Sequence, residues 1–205
     1  ICVRINTDEG ISGFGEVGLA YGNAQTAGFG QAIDFARCII GMDPMRSEKI
    51  WDKLHRLTFW GMGGGGVVFA GISGIDIALW DILGKHTGEP IHRLLGGAYR
   101  DRIKVYASGV PATKAARGEA DHARMLAAAQ SAIDRGFLGL KMAIGSGPAA
   151  DVASVRAVRE LVGPDMAIFT DAAGNYSVGQ AVAVGRELEA LGVGFLEAPL
   201  PHEFV

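Results

Sequence analysis

Three side chains in the second half of the sequence, Lys141, Asp171 and Glu197, sit at or near the ends of apolar runs and suit one kind of chemistry. The runs are Phe137-Leu138-Gly139-Leu140-Lys141-Met142-Ala143, Ile168-Phe169-Thr170-Asp171 and Phe195-Leu196-Glu197. Carboxylates on neighbouring strand ends offer hard oxygen ligands to a divalent cation that keeps positions open for a substrate. A lysine beside them is either a base of lowered pKa or a cation that holds a substrate carboxylate. Each residue alone has an ordinary reading: a strand-end acid caps a helix or meets solvent, and a lone strand lysine marks an edge. Their recurrence on successive runs at matching depth singles them out.

The elements that must position them alternate regularly. Apolar patterning predicts strands over 103–107, 137–144, 166–170 and 193–196, separated by helices over 117–135, 149–162 and 177–191. One strand and one helix per step of roughly 30 residues is the rhythm of a parallel sheet. The two-residue period of a strand puts Lys141 on the face of Gly139 and Ala143. An open doubly wound sheet and a closed eight-stranded barrel both fit. Ser108-Gly109-Val110-Pro111-Ala112-Thr113 supplies neither a dinucleotide fingerprint nor a phosphate-loop lysine, which favours the barrel. Four strands would leave two parallel edges unpaired, so the expectation is a chain that continues beyond Val205 or pairs with something that completes it.

The first hundred residues mix strands and helices. Residues 1–6 and 11–17 read as a hairpin around Thr7-Asp8-Glu9-Gly10. Helices are predicted over 26–40 and over 47–57, the latter with Ser47 as N-cap. The run Trp60-Gly61-Met62-Gly63-Gly64-Gly65-Gly66 reads as a loop, because interior glycines disfavour regular structure. Residues 67–84 are apolar on nearly every face and read as a buried helix with Trp80 in the core. Asp76 and Asp81 are expected to hold it by capping or pairing.

The chain has 205 residues, 49% of them hydrophobic and 20% charged, with 31 glycines that follow no fixed period, which excludes disorder, collagen and coiled coil. A net charge of -3 gives no electrostatic reason to expect nucleic acid or a membrane surface. Cys2 and Cys38 cannot form a disulfide framework and read as buried apolar residues. No unbroken run of about 18 apolar residues appears, so no membrane span is expected, and the cysteine usage makes a reducing cytoplasm the expectation. The sequence opens on Ile1, in strand-like alternation, and so reads as a piece of a longer chain.

Several stretches resemble the mandelate racemase and muconate lactonizing branch of the enolase superfamily. Ala70-Gly71-Ile72-Ser73-Gly74-Ile75-Asp76-Ile77-Ala78-Leu79-Trp80-Asp81-Ile82 with Gly84-Lys85 and Leu94-Leu95-Gly96-Gly97 looks like the buried helix and exit of that family's capping domain. Thr7-Asp8-Glu9-Gly10-Ile11-Ser12-Gly13-Phe14-Gly15-Glu16 resembles its hairpin. Gly136-Phe137 through Gly145, Thr170-Asp171-Ala172 and Phe195-Leu196-Glu197-Ala198-Pro199-Leu200-Pro201 resemble its second, third and fourth barrel strands. The resemblance implies an α/β protein. Residues 1–100 would be an α+β capping domain lacking its start, and residues 101–205 the first half of a TIM-type β/α barrel.

It also implies a chemistry. The family holds Mg²⁺ with three strand-end carboxylates, removes the proton alpha to a substrate carboxylate and stabilises the enediolate. By motif Asp171 and Glu197 would be ligands, the third ligand and a His-Asp dyad would lie beyond Val205, and a homo-oligomer binding a small-molecule carboxylate is expected. Two departures matter. Where members commonly carry Lys-x-Lys, the second position is Ala143, so Lys141 is better suited to orienting and neutralising the substrate carboxylate than to acting as the base. Where Asp-Ala-Asn is usual, Ala173 takes the last place, and Asn175 is the candidate to substitute in substrate binding. Trp60 stands where the family's capping loop covers the barrel mouth, and His202 reads as a surface residue. Loss of one base argues against two-faced racemisation, so acid sugar dehydration leads, with a cycloisomerase or racemase as alternatives and a non-catalytic sugar-acid-binding homologue as the reading of another class. Residues 1–205 alone are expected to show no turnover.

Overall fold

A computed structural model describes residues 1–19, 24–57, 62, 65–112 and 118–201, and the chain divides into two compact units, Ile1–Asp101 and Arg102–Val205. Trp60 and His202 lie outside the described residues.

The first unit opens with an antiparallel hairpin, β1 (Cys2–Asn6) and β2 (Ser12–Glu16), followed by α1 (Gln25–Ile39), α2 (Ser47–Leu57), α3 (Gly66–Thr87) and the single turn α4 (Ile91–Leu94). Period-two alternation turns Val3 and Ile5 inward opposite Gly15 and Gly13, and sets Arg4 and Phe14 outward. The inward glycines are there because α3 lies directly against β2. A Cβ on Gly13 would overlap the Ala78 carbonyl oxygen, and one on Gly15 the Gly74 carbonyl oxygen. Phe35, Ile50, Leu54, Ile72, Ile75 and Leu79 form the core around α3.

Asp81 does the pairing expected of it. It accepts the Phe14 N–H at 2.8 Å and pairs with Lys85 at 2.6 Å, while Lys85 donates to the Ser12 carbonyl at 2.7 Å. Three of the readings for this unit are corrected. Ser47 is the first helical residue rather than the cap, and Cys2 is exposed and Cys38 half-buried, both as free thiols. Strand alternation places Cys2 on the outward face with Arg4, which composition alone could not show. By length and composition α3 is long and apolar enough to cross a membrane, but Asp76 and Asp81 interrupt it, as the sequence pattern indicates, and it packs on the hairpin, α1 and α2.

The second unit alternates β3 (Ala107–Pro111), α5 (Gly118–Asp134), β4 (Gly139–Ala143), α6 (Pro148–Val162), β5 (Ala167–Asp171), α7 (Val178–Ala190) and β6 (Val193–Glu197), and its four strands pair in parallel in chain order. One face of the sheet packs on the helices: Leu140, Met142 and Ile168 are buried among Met125, Ala129, Val155, Val158, Val184 and Leu188. Ser177 and Gln180 start α7 with a reciprocal capping box, which satisfies two N–H groups the helix leaves free.

The first strand differs from the expected 103–107. It begins at Ala107, because the ladder pairs Ala107 with Leu140 and Val110 with Met142, and it includes the residues that read as a strand-to-helix turn. Ile103 and Val105 remain 74% and 65% exposed. Alternation marks a segment able to be a strand, but only a neighbouring ladder makes it one. A register shift between Ser108 and Val110 coincides with Gly109 at φ 90°, the backbone of a glycine bulge.

Candidate functional site

The helix-facing side of the sheet is apolar, and the opposite side carries the chemistry. Register places Lys141 beside Phe169, Ala143 beside Asp171, and Asp171 beside Glu197. Phe169 and Phe195 stack at 4.5 Å and Tyr106 lies 5.0 Å from Phe169, which makes an aromatic layer beneath a charged one. In parallel strands of one sheet the C-terminal ends collect on one rim, and both acids end their strands there.

Lys141 Nζ joins the two acids, donating to Asp171 Oδ2 at 3.0 Å and to Glu197 Oε2 at 2.8 Å. Contact with Glu197 and then Asp171 drives the ammonium well above the ordinary lysine range, against the opposing pull of desolvation. Burial pushes the Asp171 carboxyl up, but the Lys141 bond and the Ala173 N–H at 2.9 Å together bring it below the ordinary aspartate range. The two acids therefore favour the charged form of Lys141. The ion pairs are a poor stability device: side-chain exposure is 17% for Lys141 and 47% for Glu197, and such pairs contribute about 0–1 kcal/mol.

The turn after β5 is built around Asp171. Ala173 takes the left-handed conformation at φ 47°, and Ala198, one residue beyond Glu197, does so at φ 40°. Non-glycine residues there cost of order 1–3 kcal/mol and cluster at functional sites. Asn175 does not join the charged trio through its amide, which instead donates to the Ala172 carbonyl at 2.8 Å.

Sequence reading missed Asp151 and Arg159. Asp151 is fully buried in the first turn of α6 and bonds the loop after β4 and the Tyr176 hydroxyl. Burial and then the Asp151 bond raise the Tyr176 phenol far above its ordinary range. The signal was Gly145-Ser146-Gly147-Pro148, a glycine loop entering a helix, with an acid four residues after Gly147. Arg159 spends its guanidinium on the carbonyls of Leu191, Gly163, Met166 and Gly192, tying the loops before β5 and β6.

Two carboxylates converging on one point are hard oxygen donors, the class that Mg²⁺ takes while keeping waters and substrate in its other positions. Among the described residues no group of three or more His, Cys, Asp or Glu side chains converges.

Residues 1–96 match the family model described as Mandelate racemase / muconate lactonizing enzyme, N-terminal domain, and residues 124–205 match Enolase C-terminal domain-like. The chain is 37% identical over 204 residues to the D-galactarolactone cycloisomerase of Agrobacterium fabrum, covering 99% of the chain and 52% of that relative. It is 33% identical over 206 residues to the arabinonate dehydratase of Saccharolobus solfataricus, covering 100% of the chain and 53% of the relative. A crystal structure of an enolase superfamily member from Salmonella Typhimurium superposes with a TM-score of 0.88 at 38% identity, covering 98% of this chain and 57% of that one. The chain thus spans about half the length of the curated relatives it matches.

Proposed function

Because this chain belongs to the mandelate racemase/muconate lactonizing enzyme family, we propose that it supplies one side of an active site that removes the proton alpha to the carboxylate of a sugar acid. Acid sugar dehydration is the leading reaction and cycloisomerisation the second, in keeping with the names of the arabinonate dehydratase and D-galactarolactone cycloisomerase it resembles. The observation that carries the proposal is the meeting of Asp171 and Glu197 on Lys141 at neighbouring strand ends.

Asp171 and Glu197 would hold Mg²⁺, whose charge makes an alpha proton acidic enough for a side-chain base. Lys141, an ammonium at neutral pH, would neutralise and orient the substrate carboxylate. Ala143 shares the strand face of Lys141 and offers no proton acceptor, so this side holds the substrate while a base from another strand takes the proton. A single acid–base group on one face suffices for dehydration if it removes the alpha proton and then protonates the departing hydroxide. That asymmetry is why dehydration ranks above racemisation.

The test uses the polypeptide that carries these residues together with the remaining strands of the barrel, offered a panel of acid sugars in deuterated water with and without Mg²⁺. Mg²⁺-dependent incorporation of deuterium at the alpha carbon, abolished in Asp171→Ala, is the expected result. Exchange unaffected by Asp171→Ala would remove Asp171 from the site. Sugar-acid binding with no exchange in the unsubstituted protein would favour the non-catalytic reading that Ala143 and Ala173 motivate.

A further inference from the structure

Asp151 is 0% exposed and, among the described residues, pairs with no cation. Its carboxylate accepts the backbone N–H groups of Gly145 at 3.0 Å, Ser146 at 3.2 Å and Gly147 at 2.9 Å, and the Tyr176 hydroxyl at 2.7 Å. Three consecutive N–H groups at the N-terminus of a helix make a cradle for an anion. Here the chain fills that cradle itself, so the glycine loop is not open to a phosphate. A buried anion is costly unless every lone pair is engaged, and four donors meet that demand.

The bonds do more than solvate the charge. Gly145 follows Ile144, whose N–H donates to the Asp171 carbonyl at 2.8 Å. A Cβ on Gly145 would crowd the Ala172 carbonyl and the Asn175 amide, so the loops after β4 and β5 are in close contact. Tyr176 closes the turn that begins at Asp171, and its own N–H donates to the Pro199 carbonyl beyond β6 at 3.0 Å. Gly174 likewise donates to Ala198 at 2.7 Å.

We propose that Asp151 is a positioning residue which, through Tyr176 and residues 145–147, locks the loops after β4, β5 and β6 into one unit and so holds Asp171 and Glu197 in register with Lys141. Its bearing on metal binding rests on the function proposed above, whereas its bearing on the geometry of Lys141 and Asp171 does not.

The experiment uses the polypeptide that carries these residues together with the remaining strands of the barrel, and three variants: Asp151→Asn, Tyr176→Phe and, as a control, Arg159→Lys, whose bonds tie the loops at the other end of the strands. Nitrogen-15 NMR follows the Lys141 ammonium and the Ala173 amide, and electron paramagnetic resonance of free Mn²⁺ reports metal affinity. Tyr176→Phe keeps the ring and removes one hydrogen bond, so it remains informative if Asp151→Asn fails to fold. The expected result is displaced Lys141 and Ala173 signals in Tyr176→Phe, Mn²⁺ binding about five-fold weaker, and neither change in Arg159→Lys. Unmoved signals in Tyr176→Phe overturn the proposal. Equal displacement in Arg159→Lys also overturns it, by reducing Asp151 to general stability. Displaced signals in a chain that binds no Mn²⁺ even unsubstituted uphold the positioning role and count against the metal site.

Discussion

Ala173 stands two residues beyond Asp171 with φ at 47° and turns its N–H onto Asp171 Oδ1 at 2.9 Å. A side chain without a polar group occupies a left-handed position that asparagine or glycine tolerates better. The strained turn and the aimed carboxylate are one feature: the conformation that costs energy at residue 173 is the one that presents its N–H to the acid.

Ala173→Gly should therefore raise the unfolding free energy by about 1 kcal/mol, and Ala173→Asn should also stabilise, while Ala173→Val should destabilise. Urea unfolding checks this; equal stability in all four proteins would mean that the turn relaxes without cost.

Acid should weaken the second unit through Asp171. Its carboxyl titrates lower folded than unfolded, so the stabilisation is fully present above about 3.9, the unfolded value, and is lost as pH falls through the depressed folded value. Lys141 has the opposite sign: its raised folded value contributes at every pH below the ordinary lysine range and is lost only in strong alkali. Asp171→Asn should flatten the acid limb of the stability profile measured by unfolding between pH 5 and pH 2, as an order-of-magnitude window.

Arg159→Ala leaves four carbonyl oxygens without their cationic donor. Hydrogen bonds to charged groups contribute about 1.5–3 kcal/mol net, and because these carbonyls are only partly buried water replaces part of the loss, so a loss of about 3 kcal/mol is expected, read as a drop of roughly 6–12 °C in Tm. Arg159→Lys should recover part of it.

In the first unit, Gly15→Ala should destabilise by about 3 kcal/mol or prevent folding, because its Cβ would overlap the Gly74 carbonyl of α3. Gly30→Ala, in α1 with open space around it, should instead stabilise by about 0.5–1 kcal/mol. Circular dichroism melts of the two variants separate these outcomes, and similar melts for both would contradict the close approach of β2 and α3.

Much of the second unit was legible because its signals are local. The capping box of Ser177 and Gln180 starts α7 whatever surrounds it, and the apolar face of each helix follows from spacing alone. The apparent strand at 103–107 misled for the complementary reason: Ile103-Lys104-Val105 alternates well but has no ladder neighbour among the described residues, and β3 begins instead where Ala107 meets Leu140. Cys2 misled similarly, since its burial depends on neighbours that residue type does not specify.

By itself the sequence determined the order of elements, the strand face that carries Lys141 and the identity of two acids at strand ends, since each depends on short-range periodicity and covalent order. Only the tertiary structure decided that one ammonium bridges both acids, that Ala173 aims Asp171 through a left-handed turn, and that Asp151 fills the cradle before α6. Those relations join residues separated by as many as 56 positions. They arise from parallel register and from the need of each buried polar group for a partner, and neither is encoded in the local pattern around any one of them.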